Sequence, residues 1–509
     1  MSAERSPLDL RLVPAALTSW AVTAAGIVWP VGGAAAAAAA IVLALLLRRF
    51  TRRMAAHEPD RPLFGAAGVV AVAMVSAAFA LSIGLRSHDV RHHPITARTG
   101  TTVTVTVTPA ETPRVLAGGR LLFRAALREL AGDPADGAVT VFAPAWRGGE
   151  VTAGRPTTFR ARVGRPARSD LTVAVLTAVG EPTVGRTPTV PRLAGHIRSE
   201  FAATARLVLP VDQAAMLPAL VLGDTSMVPA SVASDFRTAG LTHLTAVSGA
   251  NVTIVCGTAL LSAALIGPRL AAALAFVVLV AFVIVVEPSA SVLRAAVMGG
   301  IGLLAMVSHR RRQAIPVLAC SVVALMVGAP QLAVDVGFAL SVVATAALVL
   351  LAPAWSQRLT DRGWPRPLAA AVSVAVAAQL VTAPLVAGIT GRFSVLSVLA
   401  NLVVAAVIPP ITVIGTAAAV LAAWWPTGAG LLIRFTGPEL WWLLQVAHRV
   451  AAVPGATVTV PSGPLGVVAV AAAGVGLVLG WRLRWVRLLV ALGGVGLLAW
   501  TVSGVVGSA

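Results

Sequence analysis

The sequence predicts a polytopic α-helical membrane protein with a small β-barrel domain inserted between its membrane spans. The first observation behind this is composition: of 509 residues, 57% are hydrophobic and only 12% are charged, whereas an ordinary soluble domain is about 25% charged. The second is the order of segments. Apolar runs long enough to cross a bilayer, which takes ~20 residues, occupy both ends of the chain, and a polar segment with strand-like alternation lies between them.

Ten to thirteen apolar runs are candidate spans. The first run alone could be a signal peptide, but a second run follows it at once, and Glu4 and Asp9 oppose the basic start that a signal peptide needs. A membrane anchor is therefore favoured. The runs cover residues 12–30, 31–47, 64–85, 241–266, 270–286, 289–307, 314–329, 332–352, 368–389, 395–421, 431–453, 465–480 and 485–502.

These runs divide the chain into five parts. An N-terminal membrane segment of three spans covers residues 1–85, and the polar domain covers 86–200. An amphipathic or juxtamembrane helical connection is expected over 201–240, a transmembrane domain over 241–430, and further C-terminal spans over 431–509.

Clusters of arginine orient the spans. They lie at residues 48–61, 310–312, 358–366 and 482–487, in connections that the span order puts on one side of the membrane. Because cationic residues concentrate in cytoplasmic loops, the clusters predict a multi-pass protein of the cytoplasmic membrane. The same rule puts the 86–200 domain outside the cell.

The residue types exclude some chemistry. All 39 cationic residues are Arg, and a chain without Lys has neither a Walker A P-loop nor a Schiff-base lysine. The net charge of +19 fits an anionic partner or heavy marking of cytoplasmic loops. Cys256 and Cys320 lie in apolar runs, which is typical of buried free thiols. We expect no cofactor, no metal site and no catalytic residue.

The polar domain has the pattern of a β-barrel. Residues 101–108 read TTVTVTVT, a strict alternation that predicts a strand with one buried face. Four further strand-like runs lie at 120–130, 138–143, 157–163 and 171–179, between Gly, Pro and Asp residues. Five short strands suit a small barrel of the OB type, a fold often used to bind nucleic acid.

Charge supports a nucleic-acid partner for this domain. From Arg86 to Glu200 it has 16 arginines against 9 acidic residues, a net charge of +7. Contact with phosphates needs cations more than a fixed motif. The alternative is a solvated basic surface without a ligand. The candidate DNA-binding residues lie near one strand end and are Arg160, Arg162, Arg165 and Arg168.

Four ordered segments carry a family resemblance. Residues 222–255 read LGDTSMVPASVASDFRTAGLTHLTAVSGANVTIV, and they are followed by SVLRAAVMG at 291–299 and DVGFALSVVAT at 335–345. The fourth, AQLVTAPLVAGITGRFSVLSVLANLVVAAVIPP, covers 378–410. Through these segments the chain resembles the ComEC family of competence proteins over residues 60–420, which would make 241–430 a competence-type membrane domain.

The resemblance implies a channel that takes up single-stranded DNA across the cytoplasmic membrane during natural transformation. It also implies a DNA receptor on the outer side and a helicase-type ATPase in the cytoplasm. The sequence departs from the family at two points. Asn251 stands where many relatives have His, and there is no H-x-H-x-D cluster or metallo-β-lactamase-like domain. Strand degradation is therefore expected to be supplied by a separate nuclease or not to occur.

Polar residues inside predicted spans are candidates for the channel wall. Thr242, Thr245, Ser248 and Asn251 recur at every third residue, which would form one stripe on a helix. The alternative is hydrogen bonding between helices as packing. The full set of candidate channel-lining residues is Thr242, His243, Thr245, Ser248, Asn251, Arg294, Asp335, Gln379 and Asn401.

Arg294 is the only arginine well inside a confidently predicted span. A cation there should face protein or water, because lipid exposure costs several kcal/mol. It either lines a path for phosphates or forms an ion pair with Asp335 or Glu287. Asp335, near a helix start, is either a helix cap or part of the path.

Two other functions are alternatives. An intramembrane serine hydrolase would need Ser248 beside His243 or His448, but His243 lies five residues away, on a different helix face. A small-solute or polymer exporter fits the number of spans. The basic domain at 86–200 favours DNA, since a solute carrier has little need of one.

Overall fold

The computed structural model describes residues 9–55, 66–116, 118–144, 146, 151–286, 289–308, 313–480, 483–485 and 488. Three helices precede the barrel: α1 (Val13–Val28), α2 (Gly32–Ala55) and α3 (Ala66–Arg91). The barrel region contains β1 (Thr102–Pro109), β2 (Arg114–Val115), β3 (Leu121–Leu130), β4 (Asp133–Ala143), β5 (Thr157–Gly164) and β6 (Thr172–Val184).

The rest of the described chain is helical apart from one short strand pair. The elements are α4 (Thr189–Val208), α5 (Val211–Leu222), α6 (Ala230–Thr238), α7 (Gly249–Ser262), α8 (Pro268–Val286), α9 (Ala290–Val307), α10 (Ala314–Gly328), α11 (Val336–Leu350), α12 (Ala352–Thr360), α13 (Arg366–Thr390), β7 (Arg392–Ser394), α14 (Ser397–Val404), α15 (Ile408–Ala422), α16 (Pro426–Phe435), α17 (Gly437–Ala452), β8 (Thr457–Thr459) and α18 (Pro464–Gly480).

Five strands close into the predicted barrel. The order around it is β1-β5-β6-β4-β3, and β3 pairs back with β1. Every pairing is antiparallel except β4 with β6. Counted along the chain, the five strands therefore meet in the order 1-2-3-5-4-1, a Greek-key closure of the OB type. The predicted fold class, a helical membrane protein with an inserted OB-like barrel, is confirmed.

Alternation along the strands builds the barrel interior. In β1, Val103, Val105 and Val107 are buried while the threonines between them face outward. Phe123 and Leu127 on β3 join them in one closed apolar core. Period-two burial of this kind is what the TTVTVTVT run predicts.

Six described helices are long and apolar enough to cross a membrane, and the α14–α15 pair makes a seventh if it is one span. Five more apolar helices, α1, α5, α7, α10 and α18, have only 12 to 17 residues. The predicted count of ten to thirteen is thus too high for long unbroken helices. The helices in runs 12–30, 314–329, 431–453 and 465–480 have 15 to 17 residues, and breaks interrupt two other runs. Run 485–502 lies almost wholly outside the described residues.

Two predicted spans are interrupted. Run 241–266 contains a 3-10 turn at Thr242–Leu244, and α7 begins only at Gly249. Run 395–421 divides into α14 and α15, which are bent by 55°. Pro409 and Pro410 stand in the first turn of α15. Proline there removes backbone donors and clashes with a preceding turn, so α14 cannot continue through it.

Helix α5 lies at the centre of the helical domain. Nine of its twelve residues are buried, and it packs against α4, α8, α15 and α17. The connection expected over 201–240 therefore contains an enclosed apolar helix. Both cysteines are free thiols, as expected, but Cys320 is exposed on the helix surface.

The barrel contacts the helical domain through Leu171, and α3, the helix that leads into the barrel, is bonded to α10. Leu171, in the loop between β5 and β6, packs against the apolar cluster that contains Phe338. At the end of α3, Arg86 donates a hydrogen bond from Nη2 to the Val327 carbonyl of α10, at 3.1 Å. These contacts put the barrel at the end of the helices where α10 ends and α11 begins.

Candidate functional site

The break before α7 rearranges the predicted polar stripe. Thr242 and His243 lie in the 3-10 turn and are exposed, whereas Ser248 is the residue before α7 and Asn251 lies in its first turn. The single helical stripe through Thr245 is therefore wrong. The physical reason lies at residues 247 and 248. Ser248 is extended, with φ −99° and ψ 166°, and the Val247 carbonyl accepts a hydrogen bond from Ser291 of α9, so no helix continues from residue 242 into α7.

Ser248 and Asn251 line a small cleft between α5, α7 and α15. Asn251 is buried and donates from Nδ2 to the Leu220 carbonyl of α5 at 3.0 Å. Ser248 donates from Oγ to Asn251 Oδ1 at 3.4 Å. The cleft is lined by Leu220, Leu244, Ser248, Asn251, Ile408, Ile411 and Thr412.

Arg294 lies beside the N-terminus of α7. It is 5% exposed, and its Nε donates to Ser341 Oγ of α11 at 2.7 Å. Its Nη1 donates to the Met298 sulfur at 2.9 Å. Its Nη2 points at Gly249, where a methyl group would lie 2.8 Å away. Arg294 thus joins α7, α9 and α11.

No carboxylate of the described residues forms an ion pair with Arg294. Glu287, one of its two expected partners, lies outside the described residues. Asp335, the other, is the N-cap of α11 and accepts a hydrogen bond from the Phe338 amide at 2.7 Å. The geometry therefore agrees with the helix-cap interpretation of Asp335, and not with an ion pair to Arg294.

The remaining candidates do not share one cluster. Asn401 donates to the Ser397 carbonyl on its own helix at 2.8 Å. Gln379 is half-buried on α13, which packs against α11, α12, α14 and α18. His448 hydrogen-bonds through Nδ1 with Asp235 on α6, at 3.1 Å. That pairing, and the exposed position of His243, give no Ser–His dyad for a hydrolase at Ser248.

The four motif segments meet around the start of α7. Ser291 donates to the Val247 carbonyl at 2.9 Å, which ties the AVSG loop to α9. Ser394, from the fourth segment, donates to the Thr238 carbonyl at 2.8 Å. Sequence reasoning missed Ser291 and Ser341 as the residues that hold the loop and the guanidinium. Their signal was present, because each lies inside a motif segment.

The barrel carries its cations on two unlike faces. On β3 and its neighbours, Arg124 pairs with Glu111 at 3.5 Å and Arg128 with Asp136 at 3.9 Å. Arg120 stacks over Phe142 at 5.5 Å. The four predicted DNA-binding arginines are exposed along β5 and the loop after it, and none pairs with an acid among the described residues.

These four residues form a basic track that descends toward the helices. Arg160 and Arg162 point outward from β5, beside Thr104 and Thr102 of β1. Arg165 and Arg168 lie in the next loop, which ends at Leu171 on the helical domain. Leu293, one residue before Arg294, flanks the same apolar cluster as Leu171.

Fold and site together define a multi-pass membrane protein with an OB-type barrel and a buried cation among its helices. The competence protein family model matches residues 220–485, just over half of the chain. No curated protein and no solved structure matches it. The chain therefore belongs to the competence protein family, of the ComEC/Rec2-like kind. The family's task is DNA uptake during competence, which makes DNA the substrate and the membrane its setting.

Proposed function

We propose that this protein is the channel through which single-stranded DNA crosses the cytoplasmic membrane. The observation that carries the proposal is the meeting of three motif segments at one buried cation, Arg294, on the barrel side of the helices. Burying a cation inside a membrane domain costs free energy, so a cation found there indicates a role or a partner. A polyanion in transit supplies such a role.

The path begins on the barrel. The basic track of Arg160, Arg162, Arg165 and Arg168 has cations free to contact phosphates, whereas the β3 face has its cations largely neutralised. Contacts of this kind are sequence-independent and weaken with salt. They suit a surface that guides any strand toward the helices.

The path continues past the start of α7. Ser248 and Asn251 line the cleft with polar atoms, and Arg294 stands on the other side of the α7 N-terminus. Thr242, His243 and Thr245 adjoin Leu244, which lines the cleft, and we assign them to the path on that ground. The path is also assigned Asp335, Gln379 and Asn401, whose described contacts do not themselves indicate a channel. Asp335 caps α11, Gln379 lies on the packed helix α13, and Asn401 bonds within its own helix.

The arginine clusters supply an orientation, with the barrel outside the cell. A DNA receptor would then deliver the strand on the outer face, a helicase-type ATPase would draw it in from the cytoplasm, and a nuclease would act as a separate protein. Val179→Cys on the barrel, in a chain without Cys256 and Cys320, should react with an impermeant thiol reagent on intact cells. Ala354→Cys on α12 should react only after lysis, and the reverse labelling pattern would reject this orientation.

Uptake of labelled DNA past the membrane tests the channel. A strain lacking this protein is complemented with wild type, Arg294→Gln or Arg198→Gln at equal membrane abundance. Arg198 is the matched control, because it is another arginine of the helical domain. It donates a hydrogen bond to the Val285 carbonyl at 3.0 Å. Arg294→Gln should lower uptake about 100-fold, the scale of a charge-assisted contact, and Arg198→Gln less than about 3-fold. Normal uptake by well-inserted Arg294→Gln protein would reject Arg294 as part of the path.

A further inference from the structure

The guanidinium of Arg294 has unused hydrogen-bond donors. A guanidinium carries five N–H groups. Within the described residues, one bonds to the Ser341 hydroxyl and one to the Met298 sulfur, which is a weak acceptor. The Nη2 group, which points at Gly249, has no acceptor in that part of the chain. A side chain that is 95% buried is thus left with donors that nothing in the described chain satisfies.

The N-terminus of α7 presents donors at the same place. The first N–H groups of a helix have no acceptor within the helix. Ser248, at the N-cap position, does not cap α7, because its hydroxyl bonds to Asn251 instead. The amides of Asn251 and Val252 donate to the Ser248 carbonyl, so the start of this 14-residue helix presents the amides of Gly249 and Ala250, beside Nη2, without an acceptor in the described chain.

Two positive groups therefore face each other. A helix N-terminus carries roughly half a positive charge, and Arg294 carries a full one. Side by side in a buried place they repel each other, and neither has an acidic partner among the described residues. An anion bound between them would satisfy both sets of donors and cancel the repulsion. Helix N-termini combined with a basic side chain are suited to oxyanions such as phosphate.

The absence of a side chain at residue 249 leaves room for this arrangement. Gly249 brings the helix start within reach of Nη2, and any larger residue would push the guanidinium away from the α7 amides. Ser341 and Ser291 fix the two sides, since one holds Arg294 and the other holds the loop before α7.

We infer that Arg294 and the first turn of α7 form a binding site for one phosphate-type oxyanion. This rests on the proposed function only for the source of the anion, which is a phosphodiester of the strand in transit. A site for one phosphate at this position would let the strand advance one phosphodiester at a time. Without DNA, the same site would hold inorganic phosphate.

The test is thermal unfolding of the full-length protein in phosphatidylcholine nanodiscs, followed by its tryptophan fluorescence. Inorganic phosphate is compared with chloride at equal ionic strength. Phosphate stabilises many proteins because it is excluded from their surface. The informative quantity is therefore the excess, which is the rise in unfolding temperature caused by phosphate in wild type minus the rise in Arg294→Gln. Wild type should show an excess of about 2–5 °C that saturates with concentration. Arg198→Gln should keep this excess.

Gly249→Ala is the second variant, because it keeps the charge and only displaces Nη2; it should lose most of the excess. Equal phosphate shifts in wild type and Arg294→Gln, or a full excess in Gly249→Ala, would overturn the oxyanion site. Repeating the titration with oligothymidylate, and in phosphatidylglycerol nanodiscs, identifies the source of the anion. A phosphate excess combined with normal DNA uptake by Arg294→Gln would keep this site and reject the channel path.

Discussion

The barrel and the helical domain handle positive charge in opposite ways. On the barrel, cations are numerous and exposed, and those along β5 lie in a row without acidic partners in the described chain. In the helical domain one cation, Arg294, is buried and held by specific contacts to Ser341 and Met298. A field of exposed cations is redundant and sensitive to salt. A buried cation is not redundant and is little screened by salt. Single substitutions should therefore lower DNA uptake strongly when made around Arg294 and weakly when made on the barrel.

The largest effect in this comparison is expected at Ser341. Ser341→Ala removes the acceptor of the 2.7 Å bond from Arg294 Nε. A hydrogen bond to a charged group contributes about 1.5–3 kcal/mol, so DNA uptake should fall about 10- to 100-fold at normal abundance. Ser373→Ala, on α13 and also buried, is the control and should keep uptake. Equal uptake by wild type, Ser341→Ala and Ser373→Ala would mean that the bond from Ser341 is not needed to hold Arg294 in place.

The next effect concerns the two asparagines. Asn251→Leu leaves the Leu220 carbonyl without its donor, and an unsatisfied buried group costs about 1–3 kcal/mol. Asn401→Leu removes only a bond to its own helix and should cost less than about 0.5 kcal/mol. Unfolding in nanodiscs measures both changes. Equal losses would contradict the distinction between a tie across helices and a local bond.

The sequence predicted the barrel closely and the helices only in part. Strands β1 and β5 alternate with period two, so their pattern alone assigns strand and buried face. Apolar runs carry no such register: nothing in run 241–266 marks where α7 begins, because the loop before α7 is held by a hydrogen bond to Val247 from Ser291, 44 residues away in sequence. The burial of α5 also depends on distant helices. Arg294 was found from its position, but its partners, Ser341 and Gly249, come from other segments and needed the fold.

A smaller effect is expected on the barrel surface. Arg160→Gln with Arg162→Gln removes two cations without described partners, while Arg124→Gln with Arg128→Gln removes two paired ones with the same net charge change. For single-stranded DNA, the slope of log affinity against log salt should fall by about 1.4 in the first variant and by less in the second. Binding is measured with the full protein in nanodiscs. Identical slopes would mean that the two faces do not differ.

The smallest effect concerns His93, at the junction of α3 and the barrel. Partial burial lowers the pKa of His93, against a weaker opposing effect of Asp136. Its Nδ1 accepts a hydrogen bond from the Ile95 amide at 3.2 Å, which only the neutral ring can do. A lowered pKa means that the unfolded chain binds the proton more readily, so stability is lost as pH falls through about 6.5. His93→Asn should flatten the fall in unfolding temperature between pH 7.5 and 5.5, and an unchanged pH dependence would remove His93 as its cause.

The central claim, that DNA passes the cleft at the start of α7, is tested most directly by cross-linking during uptake. A photoreactive residue replaces Leu244, which lines the cleft, and in a second strain it replaces Val277, which is 62% exposed on the outer surface of α8. Cells taking up labelled DNA are illuminated and the protein is recovered. The account predicts a DNA adduct at residue 244 and none at residue 277. Equal adducts at both residues, or none at residue 244 while uptake proceeds, would contradict it.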